Sequence, residues 1–551
     1  MPLPQQGDFN QEPVVEAWFS TKGGVYSSVN PHLLGEEQCA YAKNADWDEF
    51  GARKRRQGVV PLGTPSSDSA YGFGSWVVES NLNRYLVGVW GERSYWSNGN
   101  REWEQMPGTT VTTWSLPSPG LYDIVQGYAN VTSAAEGALF FCSIIPYTNS
   151  TYPDLGIVPD TWGNATINAS YAPRAIRWWQ GRLWLATDRN YLRWSNILDG
   201  ATIGTSNYIE VGPYDGDDIT AIVPTRSEAP RLYVFKQDHI FALDVVWDGG
   251  VYIPSTENTL DTTNSNLIAI SERVGCVAPK TIVYASGSKN TDIFFLARDG
   301  YRSLIRVEQD QAGGAGLPIS EPIRDIMDRI NWPHVVKAHA SVYDHKIYLA
   351  LPLDGATECT TTVVYDLIHK RWIGEYSWAT KDSTQFAFAG YQSRLYFQWQ
   401  ANTGETYTAD TYTGYTDGLH VFEVDTRQAG GFSLLYRDPD GALVEYQEVT
   451  RGFVFGDYGR KKQWNWIEMV FGTVVTTATY TLDIRIDDGA WSTMTVGTIE
   501  GGTTIRRAQH GLMGWPVGNR LQFRYKCDGD LTVDPQSTRV AAWVYDKEDW
   551  L

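Results

Sequence analysis

His334, His339 and His345 are the closest grouping of imidazoles in the chain, with gaps of five and six residues. Joint metal ligation would need them on one side of the backbone, and on a strand an odd gap turns two side chains to opposite faces. Asp215, Asp217 and Asp218 in the run YDGDD could hold Ca²⁺, as could Asp438 and Asp440 in DPDG. Neither run has the ligand spacing of a calcium loop, and Asp-Gly runs of this kind commonly close Asx turns. Arg174, Arg177, Arg182, Arg189 and Arg193 crowd into one stretch. A sialidase would spread its carboxylate-binding arginines over several repeats, so these read as surface and inter-subunit contacts. Trp178, Trp179, Trp184 and Trp194 could stack sugar rings, with packing between strands as the other reading. A glycosidase needs two carboxylates about 5–10 Å apart, a separation that 64 acidic residues give no means of picking out. Neither a G-x-S-x-G, a phosphate loop nor an H-E-x-x-H is present. The sequence therefore assigns no catalytic, cofactor-binding or metal-ligating residue.

The elements that would have to position such groups are strands. Of 551 residues, 42% are hydrophobic, 13% aromatic and 20% charged, with 52 glycines, the profile of an all-β chain of short strands and glycine turns. That excludes an acidic disordered protein and a coiled coil. A net charge of −19 argues against ordinary nucleic-acid binding, which needs a Lys/Arg-rich face. Arg53, Lys54, Arg55 and Arg56 form the one strongly basic run, expected to be a surface cluster that makes an assembly contact with an acidic neighbour. The five cysteines, Cys39, Cys142, Cys276, Cys359 and Cys527, lie more than eighty residues apart without a C-x-x-C, so neither a disulfide framework nor a thiolate zinc site is expected. The first twenty residues lack the apolar core of a signal peptide, and no apolar run is long enough for a membrane helix. Sequons at Asn130, Asn149, Asn164 and Asn168 are read as chance in a Thr/Ser/Asn-rich stretch.

A recurring unit is visible. It reads RYLVGVW from Arg84, GALFFCS from Gly137, GRLWLAT from Gly181, PRLYVFK from Pro230, TDIFFLA from Thr291, HKIYLAL from His345 and SRLYFQW from Ser393. Starts are 44 to 61 residues apart, and a further strand often follows about ten residues on, as in DHIFALD from Asp238. Such a period is the signature of a β-propeller blade, and seven units predict about seven divergent blades over 71–429. A β-sandwich or several small β-domains would be the other arrangement of the same pattern. Between the fifth and sixth units, Ile323, Ile326, Met327 and Ile330 fall at helical spacing, predicting a short helix near 320–331 with Ser320 as N-cap. Residues 430–551 alternate with period 2 and predict a C-terminal antiparallel β-sandwich, with a hairpin turn at Asp487-Asp488-Gly489. Residues 1–70 carry little periodicity and are expected as an N-terminal arm or platform segment.

The stretch from Lys22 to Gly63 resembles the opening of tail propeller proteins of tailed bacteriophages. The matching residues are Gly23, Gly24, Pro31, Leu34, Glu37, Asn44, Gly51, Arg56 and Gly58. Gly181-Arg182-Leu183 with Ser195-Asn196, and Tyr365-Asp366 with Trp372, are similar to blade motifs of the same proteins. The family that fits is the tail nozzle (tail tubular protein B) family of short-tailed phages, with the packaged-DNA stabilisation propellers nearby. The chain departs from it in reading Gly23-Gly24-Val25 where the family has Gly-Gly-Leu-Asn. The resemblance implies a non-enzymatic virion component made in the host bacterial cytoplasm. It implies a homo-hexameric ring below the portal and adaptor, in contact with other tail proteins such as fibres. Double-stranded DNA would be retained, then pass through without specific binding, past an acidic bore, with no cofactor and no membrane insertion. The rival from another class is a carbohydrate-active propeller, either sialidase-like or a tail-borne depolymerase.

Overall fold

Each of the seven recurring segments is the second strand of an antiparallel set of its own, and the sixth set continues into a nine-stranded sheet through a parallel pairing. An inner strand of a stacked sheet is covered on both faces, which is why most of each run is apolar on both faces. The computed structural model describes residues 14–18, 23–47, 53–56, 58–63, 70–77, 84–91, 93–98, 102–105, 121–128, 138–143, 156–159, 165–166, 173–225, 231–251, 259–286, 291–310, 316–378, 383–391, 394–401, 419–424, 444–455, 461–471, 477–500, 506–512, 516–527 and 533–544.

The seven sheets follow one another along the chain as blades of a β-propeller. Blade 1 is Ala70–Val77, Arg84–Trp90, Arg93–Ser97 and Glu104–Gln105. Blade 2 is Tyr122–Gly127, Ala138–Ser143, Gly156–Pro159 and Ala165–Thr166. Blade 3 is Pro173–Trp179, Arg182–Thr187, Tyr191–Trp194 and Tyr208–Glu210. Blade 4 is Ile219–Pro224, Arg231–Lys236, Ile240–Asp244 and Asn266–Ser271. Blade 5 has the strands Val283–Ser286, Thr291–Ala297 and Gly300–Ser303, followed at once by a helix, Leu304–Asp310. Blade 6 is His339–Tyr343, Lys346–Leu351, Thr361–Asp366 and Arg371–Tyr376.

Blade 7 closes the ring. Its first three strands are Ser383–Tyr391, Arg394–Ala401 and Leu419–Val424, and its fourth is Val59–Gly63, the segment just ahead of blade 1. Val424 pairs with Val59 and Phe422 with Pro61, so chain from before the first blade completes the last. The first strand of blade 7 then lies against that of blade 1. Neighbouring first strands approach so closely that a Cβ on Gly72 would sit 2.9 Å from the Tyr122 carbonyl oxygen of the next blade. Between blades the packing is aromatic, with Phe140 of blade 2 stacked 6.0 Å from Trp178 of blade 3. Trp76, Trp90, Trp184, Trp247, Trp378, Trp399 and Trp464 are fully buried. Truncating one to Ala typically costs about 3–5 kcal/mol, so this tryptophan content is a packing requirement.

The remaining strands build a β-sandwich from both ends of the sequence. One sheet runs Tyr41–Lys43, Tyr446–Val449, Leu521–Cys527, Ala478–Ile486, Ser492–Ile499, and Tyr41–Lys43 also pairs with the last strand of blade 6. The other contains Arg506–Gly511, Lys462–Phe471, Val533–Val544 and the hairpin Ala45–Trp47, Arg53–Arg55, with Val14–Trp18 also paired to Val533–Val544. The residues expected as an arm are thus woven into the sandwich and the propeller. The hairpin expected at Asp487-Asp488-Gly489 is present, with φ of 49° and 61° at the two aspartates and Gly489 N donating to Ile486 O at 2.8 Å. The helix expected near 320–331 is shorter than its periodicity implies. A 3₁₀ turn Glu321–Ile323 leads into Arg324–Met327, and Ile323, Ile326, Met327 and Ile330 are buried as expected. Ser320 makes no cap bond, because its hydroxyl accepts from Tyr301 N at 2.9 Å instead.

Candidate functional site on the propeller axis

First strands of a propeller face its axis, so one residue from each of seven distant segments is brought to a common point. Phe73, Asp123, Arg177, His339 and Phe388 come from the first strands of five blades and, with Lys280 on the 3₁₀ turn Pro279–Thr281 just ahead of blade 5, line a cavity of about 140 Å³ there. Arg177 donates through Nη1 to Asp123 at 2.7 Å. Lys280 is only partly exposed, lines the cavity and donates to no described residue. Burial pushes its ammonium down to about 8, with Asp123 pulling the other way. His339 is 2% exposed, and its Nδ1–H donates to the Lys337 carbonyl at 3.1 Å. That bond fixes the tautomer, so Nε2 carries a lone pair. Among the described residues Nε2 has no hydrogen-bond partner, and burial holds the imidazole down at about 3, with Lys280 adding to the shift. Beside this cavity lies a wider one of about 560 Å³, sharing Arg174 and Pro279 and bounded by Asp218, Arg298 and Trp332.

Arg174 and Arg177, expected on the blade surface, therefore face the axis. Arg174 is paired with Asp218, which also takes Arg189 Nε at 2.6 Å. Burial would raise the Asp218 carboxyl, but the two guanidiniums outweigh it and hold it below its usual range. Arg182 and Arg193 lie inside blade 3. Arg182 donates to Ser195 O and sits 4.4 Å over the Trp247 ring, and Arg193 donates to Thr187 Oγ1. Of the five, Arg189 is the exposed one. Trp184 and Trp194 are buried, and Trp178 and Trp179 pack on neighbouring rings, as the packing alternative required.

The three histidines do not converge on a metal. His334 lies on the 3₁₀ helix Trp332–Lys337, and His345 sits at φ 59° in the turn between the first two strands of blade 6. Among the described residues no three His, Cys, Asp or Glu side chains are grouped to hold an ion. In YDGDD each carboxylate has a different task. Asp215 takes the ammonium of Lys236, whose side chain is wholly buried, at 2.7 Å. Asp217 accepts from Gln237 N, Asp238 N and His239, and Asp218 holds the arginines. Asp438 and Asp440, and all four sequons, lie outside the described residues. The five cysteines are buried and form no disulfide with one another.

The basic run at Arg53–Arg56 is the largest departure from expectation. Arg53, Arg55 and Arg56 are 1%, 4% and 1% exposed, so they do not form the surface contact expected of them. Arg53 pairs with Glu448, Arg55 donates to the Val444 carbonyl, and Arg56 donates to Asn44 Oδ1 at 2.8 Å. Arg56 also sits 5.5 Å from the ring centres of Tyr376 and Trp378 at the end of blade 6. These cations fasten the N-terminal hairpin to the sandwich and the propeller. Nothing in the run itself marks this, because Glu448, Val444 and Tyr376 lie more than 300 residues away.

No family model and no curated protein sequence matches the chain. Among solved structures it is similar to U3-55K, with a TM-score of 0.36 and 8% identity over 66% of this chain and 98% of that one. It is also similar to the WD40 β-propeller domain of Doa1, with a TM-score of 0.35 and 6% identity over 68% of this chain and 98% of that one. The propeller assignment rests on the order of the seven sheets.

Proposed function

We propose that this chain is a structural subunit of a bacteriophage tail. Six copies form a nozzle ring below the portal and adaptor, which retains packaged DNA and conducts it at ejection. The observation that carries this reading is where the phage-like residues sit. Gly24 has φ +81°, and a Cβ on it would lie 2.6 Å from the Trp372 carbonyl oxygen. Asn44, at φ 53°, donates to Ser377 Oγ and to Glu445 O and accepts from Arg56. The motif shared with the tail propellers is thus built from residues that join propeller to sandwich. A shared motif of that kind supports a shared architecture, which a surface patch would not.

Two further observations support a mechanical role. Among the described residues the small cavity at the propeller axis is about 140 Å³ and walled by side chains, room for several water molecules and none for a duplex. DNA would therefore pass through the middle of a ring of copies. Six chains of net charge −19 carry −114, and an acidic bore repels the phosphates it must release, over a Debye length of about 8–10 Å. The test is DNA retention. Particles assembled without this chain should package DNA and then lose it, leaving it open to nuclease. Particles that retain full, nuclease-protected genomes without it would contradict the proposal, as would hydrolysis of a glycan by the purified chain.

A further inference from the structure

Val59–Gly63 closes blade 7, and two different bodies hold it. On the propeller side it pairs antiparallel with Leu419–Val424, Val59 opposite Val424 and Val60 opposite Glu423. Leu62 is buried among Phe73 and Trp90 of blade 1 and Ala389 and Tyr396 of blade 7, and its carbonyl accepts from Trp103 Nε1 at 3.2 Å. The seam between the last blade and the first is therefore packed around this strand. On the other side, the chain enters the strand from the hairpin Ala45–Trp47, Arg53–Arg55, which Glu448 and the Val444 carbonyl hold to the sandwich through Arg53 and Arg55. Arg56 then donates from its backbone N and from Nε to the two oxygens of Asn44, both at 2.8 Å. Just before that hairpin, Tyr41–Lys43 pairs with the sandwich strand Tyr446–Val449 at every position, and with blade 6 only at Lys43. If sandwich and propeller separate, the hairpin goes with the sandwich.

The tether between the two holds is short. Arg56 is the last residue fixed to the hairpin and Val59 the first in blade 7, with Gln57 and Gly58 between them. Three residue steps reach at most about 10–11 Å. Drawing the sandwich further than that from blade 6 must break one hold, and the hold on blade 7 is the weaker. Pro61 has no N–H to give to the ladder, and the register slips between Val421 and Phe422. A strand pulled from its Val59 end also opens one pair at a time, whereas Arg53 and Arg56 sit in fully buried contacts. We propose that Val59–Gly63 is a latch through which the sandwich governs closure of the propeller. Separation of the sandwich from blade 6 strips the strand from blade 7 and opens the seam between blades 7 and 1. The other seams, built from the blades' own strands as at Phe140 and Trp178, stay packed. The latch does not rest on the nozzle reading and holds or fails without it.

Hydrogen exchange of the full chain, read by mass spectrometry, tests the latch. In low denaturant the amides of Val59–Gly63 and Leu419–Val424 should open together with those of Arg53–Arg55 and Tyr446–Val449, at one free energy. The second strands of blades 2 to 4 should open at a higher one. Arg53→Met, which loosens the hairpin, should speed exchange in both groups about a hundredfold and leave blades 2 to 4 at their unmodified rates. Val60→Cys with Glu423→Cys, oxidised in the same variant, ties the strand to blade 7. Protection should then return over Val59–Gly63 and Leu419–Val424 and not over the hairpin. Exchange at Val59–Gly63 that stays slow while the hairpin opens would overturn the proposal. So would equal acceleration in every blade. The denaturant series on the unmodified chain decides the matter even if Arg53→Met does not fold.

Discussion

Arg53 and Glu448 form an ion pair 2.7 Å long with neither side chain exposed, joining residues 395 positions apart. Tyr446 donates to the same carboxylate. Burial alone would lower the Arg53 guanidinium, but Glu448 outweighs it and holds it above its usual value. The pair fixes the N-terminal hairpin against the strand Tyr446–Val449, and through it the sandwich against blade 6. Arg53→Met strands a buried carboxylate and should cost about 3–5 kcal/mol in chemical denaturation. Arg53→Met with Glu448→Met should recover most of that loss, because no lone charge remains. A double variant as unstable as the sum of both single variants would show that the two residues act independently.

Lys236 occupies the acidic turn as an internal cation. Its ammonium donates to Asp215, to Asn190 Oδ1 at 2.9 Å and to the carbonyls of Gly212 and Asp217 at 3.1 Å. Ca²⁺ added to the chain should leave the thermal midpoint unchanged, since the oxygens it would need are already in use. Lys236→Met should destabilise by about 3–5 kcal/mol, as expected for removing one partner of a buried pair. A midpoint that rises saturably with Ca²⁺ in the unmodified chain would reverse this assignment.

His339 makes acid sensitivity a local property. Its folded value near 3 lies below the ordinary 6.5, so the unfolded chain binds a proton that the folded chain refuses. Stability contributed by this difference is complete above about pH 6.5 and is lost progressively as pH falls toward 3. The amount is on the order of a few kcal/mol for a shift of that size. His339→Gln should flatten the decline of unfolding free energy between pH 6.5 and pH 4. An identical pH profile in the variant would place the acid sensitivity elsewhere.

How far the sequence could be read follows from the range of the interactions. The seven second strands were legible because covered strands carry unbroken apolar runs, as Leu183 to Ala186 do within RLWLAT, where all six residues are buried. The turn at Asp487-Asp488-Gly489 was legible because left-handed φ values select such residues locally. The helix Leu304–Asp310 was not seen, since seven residues with Leu304 and Val307 buried give too short a period to stand out. Arg53–Arg56 read as a surface patch because charge is visible in the sequence and distant partners such as Glu448 and Val444 are not. The axial cavity was invisible for the same reason, as Asp123 and His339 lie in different blades, Lys280 lies on the turn ahead of a third, and they meet only when the ring closes.

The central claim is that copies of this chain assemble into a nozzle ring, and the mass of the assembled particle tests it most directly. Mass photometry of the purified chain, or of the chain mixed with the portal and adaptor proposed as its partners, should show a species of six times 61.8 kDa. Image classes of that species should show a ring with an open bore. A chain that remains a monomer at every concentration and with those partners would contradict the account.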